Sequence, residues 1–427
     1  MTQEDEVDEQ PPSLASSALA LPSELVRAYR TKDVPPISGD ARLVPEDFVV
    51  EEVPLYEASG EGEHLYVKIE KRGLSTPDAI SRLARALHVR DRDVGYAGLK
   101  DARAVTRQTL SFQFGRAEEL ERFEDAKIKV LAAARHKNKL KVGHLRGNHF
   151  TIRLRGTRPE DEASARSTLD LLARSGAPNY FGLQRFGNRR NTQRLGLALV
   201  RADAKAFLGE LLGGPLPSDP PRGRESREAF ERGDMKKALE LTPGSFQAER
   251  TALEVLSREP DAHEKAVRAI PIRWRRLYTS ALQSVLFNAY LARRLDRIDQ
   301  LEAGEVAYLN RNGAAFLVED APREQTRCAE HELSPSGPMF GAKLLRPREG
   351  SAPRSDEDAV LAASSIPSCE LGDAFGAAPR GERRPLRVLV SDASVTREES
   401  DLVLSFFLPK GCYATSILEE LLKRPVA

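Results

Sequence analysis

Cysteine, methionine and tryptophan are scarce in this 427-residue chain, which holds three, three and one of them, and aromatic residues make up only 6%. Cys328, Cys369 and Cys412 form no CxxC pair, and an odd count leaves one over in any disulfide scheme. Neither a zinc knuckle nor an extracellular staple is indicated, and reduced, structural thiols are expected. The seven histidines are scattered, and His144 and His149 stand five apart rather than at the i, i+4 spacing of a helical metal pair. The expectation is a protein that uses no metal and no cofactor. No apolar run approaches the roughly 20 residues that cross a bilayer. Met1 to Gln10 carry five acidic side chains and no basic one, the opposite of a secretory signal. A cytoplasmic protein without membrane attachment is therefore expected. Gly60-Glu61-Gly62-Glu63-His64 lacks the third glycine and following helix of a dinucleotide fold, and no Gly-Lys-Ser/Thr phosphate loop occurs, so nucleotide hydrolysis and hydride transfer are unsupported.

What is present is charge, evenly balanced but unevenly placed. Lys and Arg number 65 against 64 Asp and Glu. Arg135, His136, Lys137, Lys139 and Lys141 form one basic cluster, and Arg185, Arg189, Arg190 and Arg194 another. Such clusters can neutralise phosphates on a neutral protein, because the local field steers a polyanion. By itself, though, a basic run is more often a solvated face. The length favours two domains over one.

Residues 1–36 mix acidic side chains with Pro11, Pro12, Pro35 and Pro36 and have little to bury, so a disordered leader is expected, with structure beginning near Ile37. Leu65, Val67 and Ile69 share one parity; Leu110, Phe112 and Phe114 share another, and Phe150, Ile152 and Leu154 a third, each reading as a half-buried strand. Thr76-Pro77-Asp78 reads as an N-cap with proline at N1, leading into Ile80, Leu83, Ala84 and Leu87 at helical spacing. The first part is therefore α+β. From about Arg194 the pattern turns helical. Gly213 to Gly223 and Pro347 to Pro385 read as loops. Between them Tyr278, Leu282, Val285, Leu286 and Ala289 make the apolar face of a long helix, and Ser280, Ser284 and Asn288 form a polar, uncharged stripe. Strand character returns at Leu402, Leu404 and Phe406, followed by a Pro409-Lys410-Gly411 turn and a helix with Ser416 and Glu419 placed as a capping box.

Gly98-Leu99-Lys100-Asp101-Ala102-Arg103-Ala104-Val105-Thr106-Arg107-Gln108 lies between two strand-like runs, which would hold a charged loop on a rigid base. A carboxylate there could act as nucleophile or base; alone, it is more often a turn aspartate bonded to its own backbone. Asn179-Tyr180-Phe181-Gly182-Leu183-Gln184-Arg185-Phe186-Gly187 combines aromatics, amide and guanidinium around two glycines, a mixture suited to stacking bases and gripping phosphates or, equally, to an aromatic core turn. In Gly147-Asn148-His149-Phe150 the amide and the ring share one strand face.

In their order along the chain these segments resemble the TruD family of tRNA pseudouridine synthases. The match runs through Pro45-Glu46-Asp47-Phe48 and Gly60 to His64 to the Gly98–Gln108 loop, similar to the family's GxKDxxAxTxQ signature. It continues in Arg135-His136-Lys137-Asn138-Lys139-Leu140, Gly147 to Phe150, Asn179 to Gly187, Tyr278 to Asn288 and Leu408-Pro409-Lys410-Gly411-Cys412-Tyr413-Ala414-Thr415. It covers roughly residues 37–195, 275–295 and 386–422.

The resemblance implies a pseudouridine-synthase fold with a mixed or antiparallel curved sheet, interrupted by a mostly helical insertion, with RNA received in a cleft. The expected division is a leader over 1–36, the catalytic domain over 37–176 and 386–427, and the insertion over 177–385. It also implies that Asp101 is the nucleophile, that Phe150 stacks on the target uracil with Phe186 the next candidate ring, and that Asn148 helps fix the catalytic loop. The implied target is uridine 13 of tRNA. A carboxylate pressed against a uracil loses hydration and needs a cation to stay ionised; Arg42 and Lys100 are the candidates. Lys137, Lys139, Arg185, Arg189 and Arg190 are the candidate phosphate contacts. A monomer with no obligate protein partner is expected. An RNA-binding factor without turnover and a carboxylate-dependent hydrolase of a small substrate are the alternatives; the second leaves the basic clusters unexplained.

Overall fold

A computed structural model describes residues 28–373 and 375–426. They divide into two compact units, Tyr29–Asn179 with the C-terminal segment from Arg387, and Tyr180–Leu386. The first unit begins with β1 (Asp40–Ala41), β2 (Phe48–Pro54), β3 (His64–Arg72), α1 (Thr76–Ala86), β4 (Gly95–Tyr96), β5 (Val105–Gln113), β6 (Ile128–His136), β7 (Leu145–Arg155), α2 (Asp161–Ser175) and β8 (Ala177–Pro178). β7 alternates as its sequence does, burying Phe150, Ile152 and Leu154. β3 does not, because both its faces are covered: Tyr66, Glu70 and Lys71 are buried along with Leu65, Val67 and Ile69. Phe114 lies beyond the end of β5 with φ of 57° and is 67% exposed, so it leaves the buried parity.

The second unit carries α3 (Thr192–Val200), α4 (Ala204–Leu212), α5 (Pro221–Glu231), α6 (Met235–Leu241), α7 (Gln247–Leu256), α8 (His263–Ala269) and the long α9 (Ile272–Arg294). β9 (Val306–Leu309), β10 (Ala315–Leu317), α10 (Ala321–Ala329), β11 (Leu333–Met339), α11 (Ala352–Ala363) and β12 (Glu382–Pro385) follow. The four strands form a sheet in the order β10-β9-β11-β12. Nothing in the periodicity announces it, since β11 reads Leu-Ser-Pro-Ser-Gly-Pro-Met. Both expected loops are shorter than read. α5 starts at Pro221, using proline where no helical N–H is needed. Ser351 caps α11 inside the second stretch by accepting from the Arg354 amide. The polar stripe of α9 has a local purpose: Ser280 and Ser284 take the Arg185 guanidinium, and the Asn288 amide bonds both the N–H and the carbonyl of Phe181.

The chain then returns to the first unit through β13 (Arg387–Val388), β14 (Ser391–Glu398), β15 (Asp401–Pro409) and α12 (Ala414–Leu422). The main sheet runs β14-β15-β7-β2-β5-β3-β6, with β1 on β7 and β4 on β5. It is mixed, since β2 and β5 pair in parallel and the other pairs are antiparallel. With helices packed on it, the unit is α+β. Phe48, Val50, Phe150, Ile152, Leu404 and Phe406 share one core with α2 and α12, and Leu65, Val67, Leu110 and Phe112 share another with α1.

Two expected caps move. Ser75, not Thr76, caps α1 by accepting from the Asp78 amide, and Pro77 falls at the second helical position. α12 begins directly after Tyr413, so Ser416 lies within its first turn and makes no capping box with Glu419. Part of the expected leader is also ordered. Thr31 is buried, and its hydroxyl and amide bond the Glu420 carboxylate at 2.6 and 3.0 Å. The remainder, 1–27, lies outside the described residues.

Candidate active site

The loop bearing Asp101 connects Ala97 to β5 and is pinned from below by side chains of three elements. The Lys100 amide donates to the Thr76 hydroxyl at 3.0 Å, and that hydroxyl donates to Gln108 Oε1 at 3.1 Å. Moving the cap to Ser75 is what releases Thr76 for this contact. From β3, Lys71 Nζ donates to the Leu74 and Asp101 carbonyls at 2.6 and 2.8 Å. The Gly73 amide donates to the Ala104 carbonyl at 3.2 Å.

The side chains of Lys100 and Asp101 go separate ways. Lys100 Nζ forms a 2.9 Å ion pair with Glu52 and a 2.8 Å hydrogen bond to Asn148 Oδ1. Its side chain is only 6% exposed and that of Glu52 3%. Glu52 and Asn148 are directly opposed on β2 and β7, so the sheet register presents both to the lysine. Lys100 is therefore not the partner of Asp101; it ties the loop to the sheet. The Asp101 carboxylate is 53% exposed and has Arg42 Nη2 at 3.4 Å. Arg42, at φ 62°, lays its guanidinium 3.9 Å over the Phe48 ring. Burial holds its proton affinity below the usual arginine value, and the Asp101 charge opposes that. The arrangement is an accessible carboxylate on a fixed backbone beside a partly desolvated cation, able to act as nucleophile or proton acceptor.

On comparison with known families, the model describing tRNA pseudouridine synthase D (TruD) matches residues 25–421. The chain belongs to the TruD family. It is 43% identical over 395 residues to a tRNA pseudouridine synthase D of Geobacter sp. (strain M21), covering 92% of this chain and 99% of that one. A Thermus thermophilus protein of the same name is 36% identical, covering 92% of each. A crystal structure from Methanosarcina mazei described as TruD superposes with a TM-score of 0.83 at 28% identity, covering 94% of this chain and 97% of that chain.

Within this TruD-family chain the other candidates fare differently. Phe150 is 6% exposed, packed between Phe48 and Phe406 at ring separations of 6.1 and 5.6 Å. Phe186 is 1% exposed inside the core of the second unit and presents no ring face to a base. Arg185 is held by Ser280 and Ser284, while Arg189 is ion-paired with Asp219 and donates to the Gly214 carbonyl. Both guanidinia are thus engaged by partners within the protein, although the Arg189 side chain remains 20% exposed. Arg190 is exposed. Lys137 is exposed beside Glu61 at 2.6 Å, and Lys139 reaches the Arg92 carbonyl at 3.3 Å. Among the described residues no three of His, Cys, Asp and Glu converge as a metal site, and no helix is long and apolar enough to cross a membrane.

Glu52, Thr76, Gln108 and Lys71 join the site without standing among the residues its sequence patterns single out. A signal existed for the last: Lys71 continues the buried parity of Leu65, Val67 and Ile69, an improbable place for an uncompensated ammonium.

Proposed function

We propose that this chain isomerises a uridine of tRNA to pseudouridine, at position 13, with Asp101 as the reactive carboxylate. The observation that carries the reading is the Asp101 carboxylate itself, open to solvent, beside Arg42, on a loop held by the Lys71 ammonium and the Thr76 hydroxyl. The net change breaks the C1′–N1 bond, forms C1′–C5, and moves one proton from C5 to N1. Oxidation state is conserved, so one ionised carboxylate and a means of holding the detached base suffice. Arg42 keeps the carboxylate charged when a base displaces water from it.

The target atom is closed off in stacked RNA, so the nucleotide is extruded, at a cost of about a few kcal/mol that protein contacts offset. Phe150, 6% exposed, is assigned to the uracil contact, and Asn148 to the loop through Lys100. Lys137, Lys139 and Arg190 are the cations assigned to phosphates. The working unit is a single chain in the cytoplasm.

Pseudouridine mapping at nucleotide resolution on tRNA transcripts tests this. Asp101→Asn is expected to bind RNA within about threefold of wild type and form no product. Substantial turnover by that variant removes Asp101 from the chemistry.

A further inference from the structure

Lys71 is 0% exposed, deep in the strand register, opposite Thr106 on β5 and Ile128 on β6. Neither neighbour is charged. Its ammonium bonds two main-chain carbonyls, those of Leu74 and Asp101, and forms no ion pair among the described residues. Thr106, directly across from it, is buried with a hydroxyl that has no hydrogen-bond partner there. A lysine charge in such a place is unfavourable unless something compensates it. The charged groups that act on it both belong to the catalytic loop, the Asp101 carboxylate attracting and the Lys100 ammonium repelling. Burial pushes its proton affinity down to about 8, against the pull of Asp101.

We propose that Lys71 is a second cation for the reactive carboxylate, a positioning residue that fixes the Asp101 main chain and sets a positive charge behind it. Arg42 approaches the carboxylate directly; Lys71 acts from beneath the loop, where incoming RNA cannot displace it. This deepens the assignment of Asp101 and rests on it. A brace without an electrostatic role would serve equally well neutral, since an uncharged amine still donates to both carbonyls. The two roles therefore part company in their response to pH.

Single-turnover rates on a tRNA transcript, measured with the full chain from about pH 5.5 to about 9.5, separate them. Lys71→Met is expected to lose roughly tenfold or more near neutrality with tRNA affinity within about threefold. The deficit should narrow above about pH 8, where the wild type gives up its own Lys71 charge. Lys71→Arg, which stays charged, should keep its rate across that range. A deficit that is constant with pH, or no deficit, overturns the proposal.

If the buried substitutions do not fold, the question is put to the wild type and Asp101→Asn by following the lysine Cε resonances through titration. Lys71 should lose its proton at lower pH in Asp101→Asn, because the attracting charge is gone; an unchanged midpoint overturns the pairing. Turnover by Asp101→Asn would instead refute the assignment of Asp101, a separate outcome from the midpoint shift.

Discussion

Replacing Glu52 with glutamine removes one charge from a knot that holds the catalytic loop on the sheet. Lys100 Nζ sits 2.9 Å from the Glu52 carboxylate with almost no solvent around either group. At an effective dielectric of about 20 the attraction is roughly 5–6 kcal/mol. Desolvating two ions costs several kcal/mol each, so the intact pair is near break-even for stability. Removing one charge is another matter: Lys100 stays buried with two neutral amides, that of Asn148 and the introduced glutamine, in place of its counter-charge, at an expected cost of about 3–5 kcal/mol. Glutamine can still accept from the Thr109 amide at Glu52's 3.2 Å contact, so the substitution isolates the charge. Tryptophan fluorescence is the wrong probe, because Trp274 lies on α9 in the other unit. Amide exchange of β2 and β7 in the first unit reads the effect directly. Adding Lys100→Met should recover most of the lost stability. A single variant within about 1 kcal/mol of wild type, or a double variant that is merely the sum of the two, refutes the argument.

Phe150→Leu should cost about 1–3 kcal/mol through its two ring contacts and lower single-turnover rates roughly tenfold; a well-folded variant with normal turnover would assign the ring to the core alone. Lys137→Ala with Lys139→Ala should flatten the dependence of log affinity on log salt by about 0.7–0.9 per lost phosphate contact, whereas Arg189→Ala should lower thermal stability and leave the slope unchanged, which binding titrations at several salt concentrations will decide. Asp161 is nearly enclosed, and although burial pushes its carboxyl up, hydrogen bonds from Ser38 and Arg158 outweigh this and bring it from 3.8 down to about 2. Its folded value is the lower one, so it contributes stability above pH 3.8 that is lost as pH falls toward 2. Acid unfolding of Asp161→Asn should accordingly be shallower over that interval than that of wild type.

Much of this molecule could be read from residue order alone, and the reason is locality. Alternation over Phe150, Ile152 and Leu154 and over Leu402, Leu404 and Phe406 reports a face buried by its own strand, and both strands form as their patterns require. The Gly98–Gln108 segment was legible as a charged loop on a rigid base because its flanks are strands. Where patterns were too short or too rich in proline, as in β11, the sheet of the second unit stayed invisible.

The electrostatics of the site belong to the tertiary structure. Lys100 precedes Asp101 in the chain, but neighbouring side chains leave the backbone in different directions, and Lys100 enters the space between Glu52 and Asn148 that the β2–β7 register creates. The cation beside the carboxylate is Arg42, 59 positions away, brought there by a left-handed turn and the Phe48 ring beneath it. Arg185 and Arg189 likewise looked like surface charge until folding supplied Ser280, Ser284 and Asp219. Sequence order determines which groups are available and which strands will carry them; partner choice among distant charges depends on sheet register and burial, which exist only once the chain has folded.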